Sequence, residues 1–472
     1  YRGTDPADRG DVADMKEALH KVKKALRLIK SGMSYTQIIA LGYFLMVLAG
    51  ALLLMLPFAA RSGERTDFLT ALFTATTSTC VTGLVVADTA THWSLFGQLV
   101  ILLLIQVGGM GFITMGVVFA MLLKKKITLS VRELVQESMN ANQVGGMVRL
   151  VRQVFLGTML IEGAGALLLS IRFIPQFGVK KGIYYSIFHA ISAFCNAGID
   201  LMGTVSGPYS SLTDYAADPL VSLVICALII IGGIGFFVWG DVRKHKLHWK
   251  KYALHTKLAL SMTFLLLFGG TLLFYLLEQK NTLEHMNMGE GMLAAFFDAV
   301  TARTAGFNTT DTAALSSTSK LLTILLMLIG GSPGSTAGGI KTVTVMVLAV
   351  YVWSNLRSEK GCNVFGRRLL DDDIKKASNV LIISLMLAMT AALVMSAIET
   401  LPMEDIMFEV FSAIGTVGMT TGITRSLSTA SRLILILLMY CGRIGSMSFA
   451  LSFTERKRVA PIQLPSEKVM IG

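Results

Sequence analysis

Charged residues are scarce in this chain. They make up 15% of its 472 residues, whereas a soluble protein of this size carries about 25%. The five cysteines are odd in number and form no CxxC pair, so neither a disulfide framework nor a zinc site is indicated. No Walker motif and no GxGxxG unit on a soluble βαβ segment occurs, which argues against a nucleotide bound by this chain. No cleavable signal peptide is expected, because the segment before the first apolar run is polar and basic.

Long apolar runs stand where charge is missing. Hydrophobic residues make up 53% of the chain, and the mean hydropathy is +0.63. A helix needs about 20 apolar residues to cross a bilayer core of about 30 Å. The candidate runs are Ile38–Ala60, Phe96–Leu123, Val154–Ile171, Leu220–Trp239, Leu258–Leu277, Leu321–Val352, Val380–Ile398 and Leu433–Leu451, the third being the weakest because Glu162 interrupts it. A soluble enzyme core would not need so many such runs, so we predict an all-α integral membrane protein with eight transmembrane helices.

Basic residues occur in clusters that alternate with pairs of apolar runs. The clusters are Lys21–Lys30, Lys124–Lys126, Arg243–Lys251, Arg357–Lys376 and Arg456–Arg458. The loops within the pairs carry acids instead: Asp200, Asp214, Asp218, Asp311, Glu399, Glu404 and Asp405. Positive clusters mark cytoplasmic loops. The formal net charge of +12 therefore reports topology rather than a nucleic-acid partner, and it predicts a multi-pass protein of the cell membrane with both termini in the cytoplasm.

An internal repeat recurs four times at a period of about 110 residues. Each pair of apolar runs encloses a shorter segment that ends in small residues and a glycine: Gly83, Gly198, Gly306 and Gly418. Ten residues before the glycine stands Phe73, Phe188, Phe296 or Phe408, and six before it Thr77, Ser192, Val300 or Ser412. A second glycine-rich mark lies in the following run, at Gly108–Gly111, Gly232–Gly235, Gly330–Gly334 and Gly442–Gly445. Glycine alone is common in membrane helices, but a shared spacing in four copies predicts four repeated units.

The units are interpreted as four in-line helix–pore-loop–helix repeats with pseudo-four-fold symmetry around a central pore. They cover residues 36–126, 127–251, 252–360 and 361–455, between a basic cytoplasmic N-terminal segment, 1–35, and a cytoplasmic C-terminal tail, 456–472. Their pore loops lie near 79–84, 194–200, 303–308 and 415–420; we call them glycine loops one to four. Irregular backbone at membrane depth is tolerated only where it is buried or lines a watery cavity, so the four loops are expected to surround one pathway.

Backbone carbonyls of the glycine loops are the predicted cation ligands. Glycine permits backbone angles closed to other residues, and stacked carbonyl rings replace the hydration shell of a monovalent cation. The predicted positions, none of them charged, are Val81, Thr82, Gly83, Asn196, Ala197, Gly198, Thr304, Ala305, Gly306, Thr416, Val417 and Gly418. Asp200 and Asn308, two residues beyond their glycines, either form an outer mouth that concentrates cations or belong to a solvated polar loop. Cys80 and Cys195 are interpreted as packed helix ends rather than ligands.

The third unit contains a second irregular segment inside an apolar run, at residues 330–342. Its members Gly330, Gly331, Ser332, Pro333, Gly334, Ser335, Thr336, Ala337, Gly338 and Gly339 cannot remain a regular helix. We expect either a movable gate below the glycine loops or a static re-entrant bend.

Arg443 and Lys341 lie inside apolar runs, and Arg303 lies in glycine loop three. Arg443 is expected to face the pore and bond loop carbonyls, the alternative being an ion pair with Glu162. Lys341 is either a second gate charge or, as we prefer, an anchor that snorkels to the membrane surface. Arg303 is expected to clamp a nearby acid, because a guanidinium in a cation path would repel the ion.

Two other functions fit parts of this pattern. A secondary cation transporter, coupled to sodium or protons and working by alternating access, would also have repeats and broken helices. It would place a charged site at its centre, however, and the glycine loops are uncharged at the predicted ligand positions. A non-transporting membrane scaffold or receptor gives no reason for four matching loops.

The glycine loops resemble the filter loops of the Trk/Ktr/HKT superfamily of potassium transport proteins. The resemblance lies in Thr79–Leu84, Phe194–Gly198, Thr301–Asn308 and Gly415–Gly418, and in GGSPGSTAGGIKT at Gly330–Thr342, which is similar to that family's intramembrane gating loop. It covers the chain from about Thr36 onward. Because a short basic segment, without an extra helix pair, precedes the first run, the chain is more similar to the Ktr membrane subunits, the KtrB type, than to the Trk type.

The resemblance also implies a function and partners. It implies potassium uptake without enzymatic activity, with potassium, and sodium as a second candidate ion, held by the filter carbonyls. It implies a homodimer in membrane lipid with one pore per protomer. It further implies a cytosolic ring of nucleotide-binding, RCK-type regulatory subunits, which would carry any nucleotide control that this chain lacks.

Overall fold

Most of the chain is helical. The computed structural model describes residues 33–125, 127–139, 145–246, 248–358 and 361–445, so the predicted tail at 456–472 and nearly all of the predicted N-terminal segment lie outside the described residues. The helices are α1 (Tyr35–Leu54), α2 (Phe68–Cys80), α3 (Leu95–Met110), α4 (Phe112–Leu122), α5 (Leu129–Ser138), α6 (Met147–Phe177), α7 (Val179–Phe194), α8 (Pro219–Gly233), α9 (Phe236–His245), α10 (Leu254–Glu278), α11 (Met288–Thr301), α12 (Ser317–Leu328), α13 (Thr342–Leu356), α14 (Asp371–Ile398), α15 (Met403–Gly415) and α16 (Thr429–Ile444).

Smaller elements connect these helices. Strands β1 (Asn363–Val364) and β2 (Arg367–Arg368) form an antiparallel hairpin between α13 and α14. Short 3₁₀ turns lie at Pro57–Ala59, Met202–Thr204, Thr213–Tyr215, Trp249–Lys251, Thr312–Ala314 and Ile423–Arg425.

Local sequence explains where several helices begin. The Ser34 hydroxyl and the Gln37 side chain form a capping box at the start of α1, which satisfies two of its free N–H groups. Asp67 accepts hydrogen bonds from the first turn of α2, and Asp218 does the same for α8. Pro219 is the first residue of α8, where its missing N–H costs nothing.

In the part of the chain that the structure describes, four helices are long and apolar enough to cross a membrane by themselves: α1, α6, α10 and α14. The pairs α3–α4 and α8–α9 meet the same test of length and composition only as bent spans, with bends of 98° and 95°. Of the apolar runs in the sequence, Phe96–Leu123, Leu220–Trp239 and Leu321–Val352 are therefore not continuous helices, and only the break in the third, at residues 330–342, is predicted from the sequence. Gly111 (φ 84°) and Gly235 (φ 100°) break the first two, because positive φ is incompatible with a right-handed helix. The third is interrupted between α12 and α13.

The long helices leave large apolar side chains uncovered. Leu160 on α6 is 72% exposed, Phe264 on α10 is 71% exposed and Met386 on α14 is 66% exposed. Soluble monomers rarely expose extended apolar faces, whereas lipid is a favourable solvent for them. The chain is a multi-pass membrane protein.

The helices pack in an order that closes on itself. Each long helix packs against the short helix that follows it, in the pairs α1–α2, α6–α7, α10–α11 and α14–α15. The helix after each glycine loop packs against the short helix of the next unit, in the pairs α3–α7, α8–α11, α12–α15 and α16–α2. The last unit thus contacts the first, and the four glycine loops are brought to the middle of the molecule.

Candidate functional site

The glycines of the four loops form a closed ring. A Cβ atom built on Gly83 would lie 2.5 Å from the carbonyl oxygen of Ala197. The same relation continues around the ring, from Gly198 to Ala305 (2.3 Å), from Gly306 to Val417 (2.5 Å) and from Gly418 back to Thr82 (2.1 Å). No side chain larger than hydrogen fits at these positions, and carbonyl oxygens of the preceding residues border the ring.

The backbone of all four loops is unusual at the same point. The residue two before each glycine has positive φ: Val81 57°, Asn196 60°, Thr304 68° and Thr416 52°. The glycines themselves have φ of 99°, 64°, 82° and 93°, while the residue between has negative φ. A β-branched residue with positive φ is rare, and such strain persists only where the surrounding structure enforces it. Each loop therefore keeps the same strained conformation beside the ring.

Hydroxyl groups at the ends of the short helices fix the loops. The Thr77 Oγ1 accepts a hydrogen bond from the N–H of Gly83 (2.9 Å), and the Ser412 Oγ accepts one from Gly418 (3.1 Å). In the second unit, the Ser192 hydroxyl donates instead to the Ile199 carbonyl (2.6 Å).

In the third unit, the segment between the buried phenylalanine and the ring glycine is one residue shorter than the predicted spacing of ten residues. Thr301, rather than Val300, supplies the hydroxyl, which donates to the Phe307 carbonyl at 2.6 Å. Phe297 is fully buried, as Phe73, Phe188 and Phe408 are in the other units, whereas Phe296 is only partly buried. The adjacent pair of phenylalanines hid this shift in the sequence.

A cavity of about 360 Å³ lies on one side of the ring, which we call the outer cavity. It is lined by all four ring glycines and by the two predicted mouth residues, Asp200 and Asn308. The Oδ1 atom of Asn308 is buried and has no hydrogen-bond partner among the described residues. Asp88 and Arg425 also line this cavity. The sequence reasoning missed them, because no spacing relates them to the glycines.

A larger cavity of about 1250 Å³ contains the 330–342 loop in its wall, together with Arg443; we call it the inner cavity. The loop lies against the bases of three glycine loops. The Thr336 hydroxyl is 3.2 Å from Oδ1 of Asn196. A Cβ on Gly338 would be 2.1 Å from the Thr416 Oγ1, and one on Gly330 would be 3.2 Å from the Thr304 Cγ2. The loop therefore stands between the glycine ring and the inner cavity.

Main-chain hydrogen bonds hold the loop in the break between α8 and α9. Ser332 and Thr336 donate their N–H groups to the carbonyls of Gly233 (2.8 Å) and Gly232 (3.3 Å). The N–H of Phe236, the first residue of α9, donates to the Gly334 carbonyl at 2.7 Å. Buried main-chain groups need partners, and the loop supplies those that the bent helix pair lacks.

Arg443 joins the loop to a second broken helix. Its guanidinium donates to the Thr336 carbonyl and, at the end of α3, to the carbonyls of Gly108 and Gly109, the last at 2.9 Å. Glu162, the alternative partner, instead accepts hydrogen bonds from the Gln106 side chain at 3.1 and 3.2 Å.

The remaining predicted positions occupy different places. Lys341 turns back onto its own loop and donates to the carbonyls of Ala337 (2.6 Å) and Gly338 (3.4 Å). Arg303 is 7% exposed, and its Nε has no hydrogen-bond partner among the described residues. None of the ion pairs between described residues includes Arg303, so the predicted clamp to an acid is wrong within these ranges. Asp298, the nearest acid in sequence, accepts a hydrogen bond from Thr310. Cys80 and Cys195 are buried at the ends of α2 and α7.

Comparison with known proteins identifies the family. The profile of the TrkH family, described as a cation transport protein, matches residues 18–462. The chain belongs to the TrkH family.

TrkH-family relatives match nearly the whole chain. The potassium/sodium uptake protein NtpJ of Enterococcus hirae is 42% identical over 452 residues, which is 94% of this chain and 98% of that protein. The Ktr system potassium uptake protein B of Bacillus subtilis is 43% identical over 438 residues, covering 92% and 96% of the two chains. The Trk/Ktr resemblance predicted from the glycine loops is therefore confirmed.

The fold matches a TrkH-family crystal structure as well. The potassium transporter TrkH from Vibrio parahaemolyticus superimposes with a TM-score of 0.70, covering 89% of this chain and 85% of that one at 16% sequence identity. At that identity the likeness concerns the fold alone.

Proposed function

We propose that this chain is the ion-conducting subunit of a Ktr-type potassium uptake system. Its eight spans would be four helix–pore-loop–helix repeats around one pore, with broken helices counted as single spans. The observation that carries the proposal is the closed ring of four glycines between the outer and inner cavities. The cyclic packing of the helices supports the four-fold arrangement.

The ring is proposed to act as the selectivity filter. Carbonyl oxygens of residues 81–83, 196–198, 304–306 and 416–418 would take the place of the water shell of potassium. The C-terminal ends of α2, α7, α11 and α15 lead directly into the loops, and helix C-termini carry partial negative charge that favours a cation. Among the described residues, no group of three or more His, Cys, Asp or Glu side chains is placed so that it could hold a metal ion.

The 330–342 loop is proposed to be the gate, held by Arg443 and Lys341. It lies against the bases of glycine loops two, three and four, where an ion leaving the ring would have to pass. A positive guanidinium beside this passage would also repel a cation. Movement of the loop toward the inner cavity would open the path.

The proposed assembly is a homodimer in the cell membrane with a cytosolic ring of nucleotide-binding, RCK-type subunits. The relatives named as parts of a Ktr system support a separate regulatory subunit. The basic clusters between pairs of spans support a cytoplasmic position for those loops and for both termini. Sodium is proposed as a second ion of interest because one relative is named a potassium/sodium uptake protein.

A flux panel in reconstituted vesicles tests this function. Purified protein should carry potassium and rubidium faster than sodium or lithium, and Gly306→Ser should reduce that preference, because a Cβ there would lie 2.5 Å from the Val417 oxygen. Gly269→Ser is the matched control, since a Cβ at Gly269 on α10 meets no atom of the described residues within 4 Å.

Two results would contradict the proposal. One is an unchanged ion preference in Gly306→Ser. The other is turnover too slow for a measurable single-channel current, which would favour the sodium- or proton-coupled transporter working by alternating access.

A further inference from the structure

One position on each short helix is polar and buried behind its glycine loop. It directly follows the fully buried phenylalanine of each unit, once the third unit is aligned on Phe297. The four residues are Thr74, His189, Asp298 and Glu409, whose exposed fractions are 5%, 0%, 3% and 0%. Lone polar side chains are rarely buried so completely unless they are hydrogen-bonded, so the partners of each decide what the position does.

In the third and fourth units this residue is a carboxylate that holds the chain beyond the ring glycine. Both oxygens of Asp298 lie 3.0 Å from the hydroxyl of Thr310, four residues after Gly306. Glu409 accepts from the hydroxyl of Thr420 and, at 2.9 Å, from that of Thr424.

The fourth-unit clamp extends into the main chain. The Thr420 oxygen also accepts the N–H of Gly422 at 2.8 Å. Glu409 therefore fixes a stretch of backbone that begins two residues after the ring glycine Gly418.

The second unit uses a neutral ring for the same purpose. His189 Nδ1 lies 2.7 Å from the Tyr185 carbonyl, which only accepts, so Nδ1 carries the proton. Its Nε2 is then an acceptor, and it receives the N–H of Leu201, three residues after Gly198, at 3.3 Å.

The first unit differs from the other three. The Thr74 hydroxyl donates to the Thr70 carbonyl within its own helix, at 2.9 Å. Three loops are thus tied to their short helix at this position, two of them through a buried carboxylate.

We propose that Asp298 and Glu409 are positioning residues for ion selectivity, which act by holding the backbone of glycine loops three and four at the spacing that suits potassium. The proposal rests on the ring being the selectivity filter. Carbonyls discriminate between ions only while they keep their spacing and number. A glycine loop that is no longer held by its carboxylate can close around the smaller sodium ion. Neither carboxylate touches the ion; each acts through the threonine hydroxyls and the backbone that follows the ring.

The test measures the ratio of potassium to sodium flux in vesicles for paired variants. Asp298→Ala and Thr310→Val should each lower the ratio by roughly 3- to 10-fold, the factor expected for one lost buried hydrogen bond. The double variant should be no worse than either single one, because both remove the same contact. Asp298→Asn keeps an acceptor for the Thr310 hydroxyl and should restore most of the ratio. Glu409→Ala and Glu409→Gln form the corresponding pair in the fourth unit.

Thr74→Val is the matched control, because it removes a buried hydroxyl at the equivalent position where no clamp exists, and it should leave the ratio unchanged. If Asp298→Ala does not yield folded protein, Thr310→Val is nearly isosteric and probes the same contact from the other side. Unchanged ratios in Thr310→Val and Glu409→Ala would overturn the inference, as would an equal loss in Thr74→Val. If Gly306→Ser also left the ratio unchanged, the filter assignment itself would fail; a change in Gly306→Ser alone would refute only the clamp.

Discussion

Replacing Gly338 by alanine should raise ion flux by pushing the 330–342 loop away from the ring. A Cβ at Gly338 would lie 2.1 Å from Oγ1, 3.0 Å from Cγ2 and 3.1 Å from Cβ of Thr416, whereas carbon atoms pack best at about 3.5–4.0 Å. The loop cannot keep its place, because the short Thr416 side chain is buried at a strained backbone position. Gly338 does not have positive φ, so alanine is compatible with its local backbone.

The size of the effect follows from the cost of overpacking. One extra methyl group in a packed site costs about 1–3 kcal/mol, which shifts the balance between the seated and displaced loop by roughly 5- to 150-fold. Rubidium efflux from vesicles, measured without cytosolic partner subunits, should rise by a factor in this range. Adding Thr416→Ala removes the two side-chain atoms beyond Cβ and should reverse part of the gain.

Gly116→Ala on α4 is the control for Gly338→Ala, because a Cβ at Gly116 has no neighbour within 4 Å in the described part of the chain. Its flux should equal that of the unchanged protein. The preference for potassium should stay the same in Gly338→Ala, since the ring is not altered. A folded Gly338→Ala protein whose efflux is unchanged or reduced would show that the seated loop does not block the path.

Two further predictions concern single side chains. Arg443→Ala removes the hydrogen bonds to Thr336, Gly108 and Gly109 and should raise basal efflux about tenfold or more. Arg443→Lys, with a single ammonium group, should give a smaller rise. Equal efflux in the unchanged protein and in both variants would contradict the gating role. Hydrogen bonds from Ser431 and Ser428 lower the pKa of Glu399 at the end of α14. The ionised Glu399 side chain therefore stabilises the folded protein above the ordinary carboxyl pKa, and this stabilisation is lost as the pH falls through the lowered pKa. Glu399→Gln should therefore lower the melting temperature near pH 7 but much less near pH 3, and an equal decrease at both pH values would disprove this.

Much of the site could be predicted because each unit repeats a short local pattern. The four glycines stand at positions where the ring leaves no room for a Cβ. Glycine is therefore required at each position, and the regular spacing can be recognised in the sequence. Arg443 is conspicuous because a charge in an apolar run is costly.

What could not be predicted depends on neighbours that are distant in sequence. The sequence does not give the register of the third unit, because Phe296 and Phe297 are adjacent and only burial distinguishes them. The GGxG marks at 108–111 and 232–235 are compatible with continuous membrane helices. Their breaks depend on Arg443 and the 330–342 loop, which satisfy the freed carbonyls and are distant in sequence. The hydrogen bonds of Asp298 and Glu409 depend on how closely the segment after each ring glycine approaches the short helix before it. No spacing rule in the sequence predicts that approach.

The main-chain hydrogen bonds between the 330–342 loop and the bent pair α8–α9 bear on how the proposed passage would become hydrated. If the loop moved as proposed, the carbonyls of Gly232 and Gly233 and the N–H of Phe236 would lose their partners at once. Unpaired main-chain groups at membrane depth cost several kcal/mol each, so water would have to follow the loop into the vacated space. In the proposed gate, opening and hydration would then be one event, and a cation leaving the ring would meet solvent as soon as it had room to move.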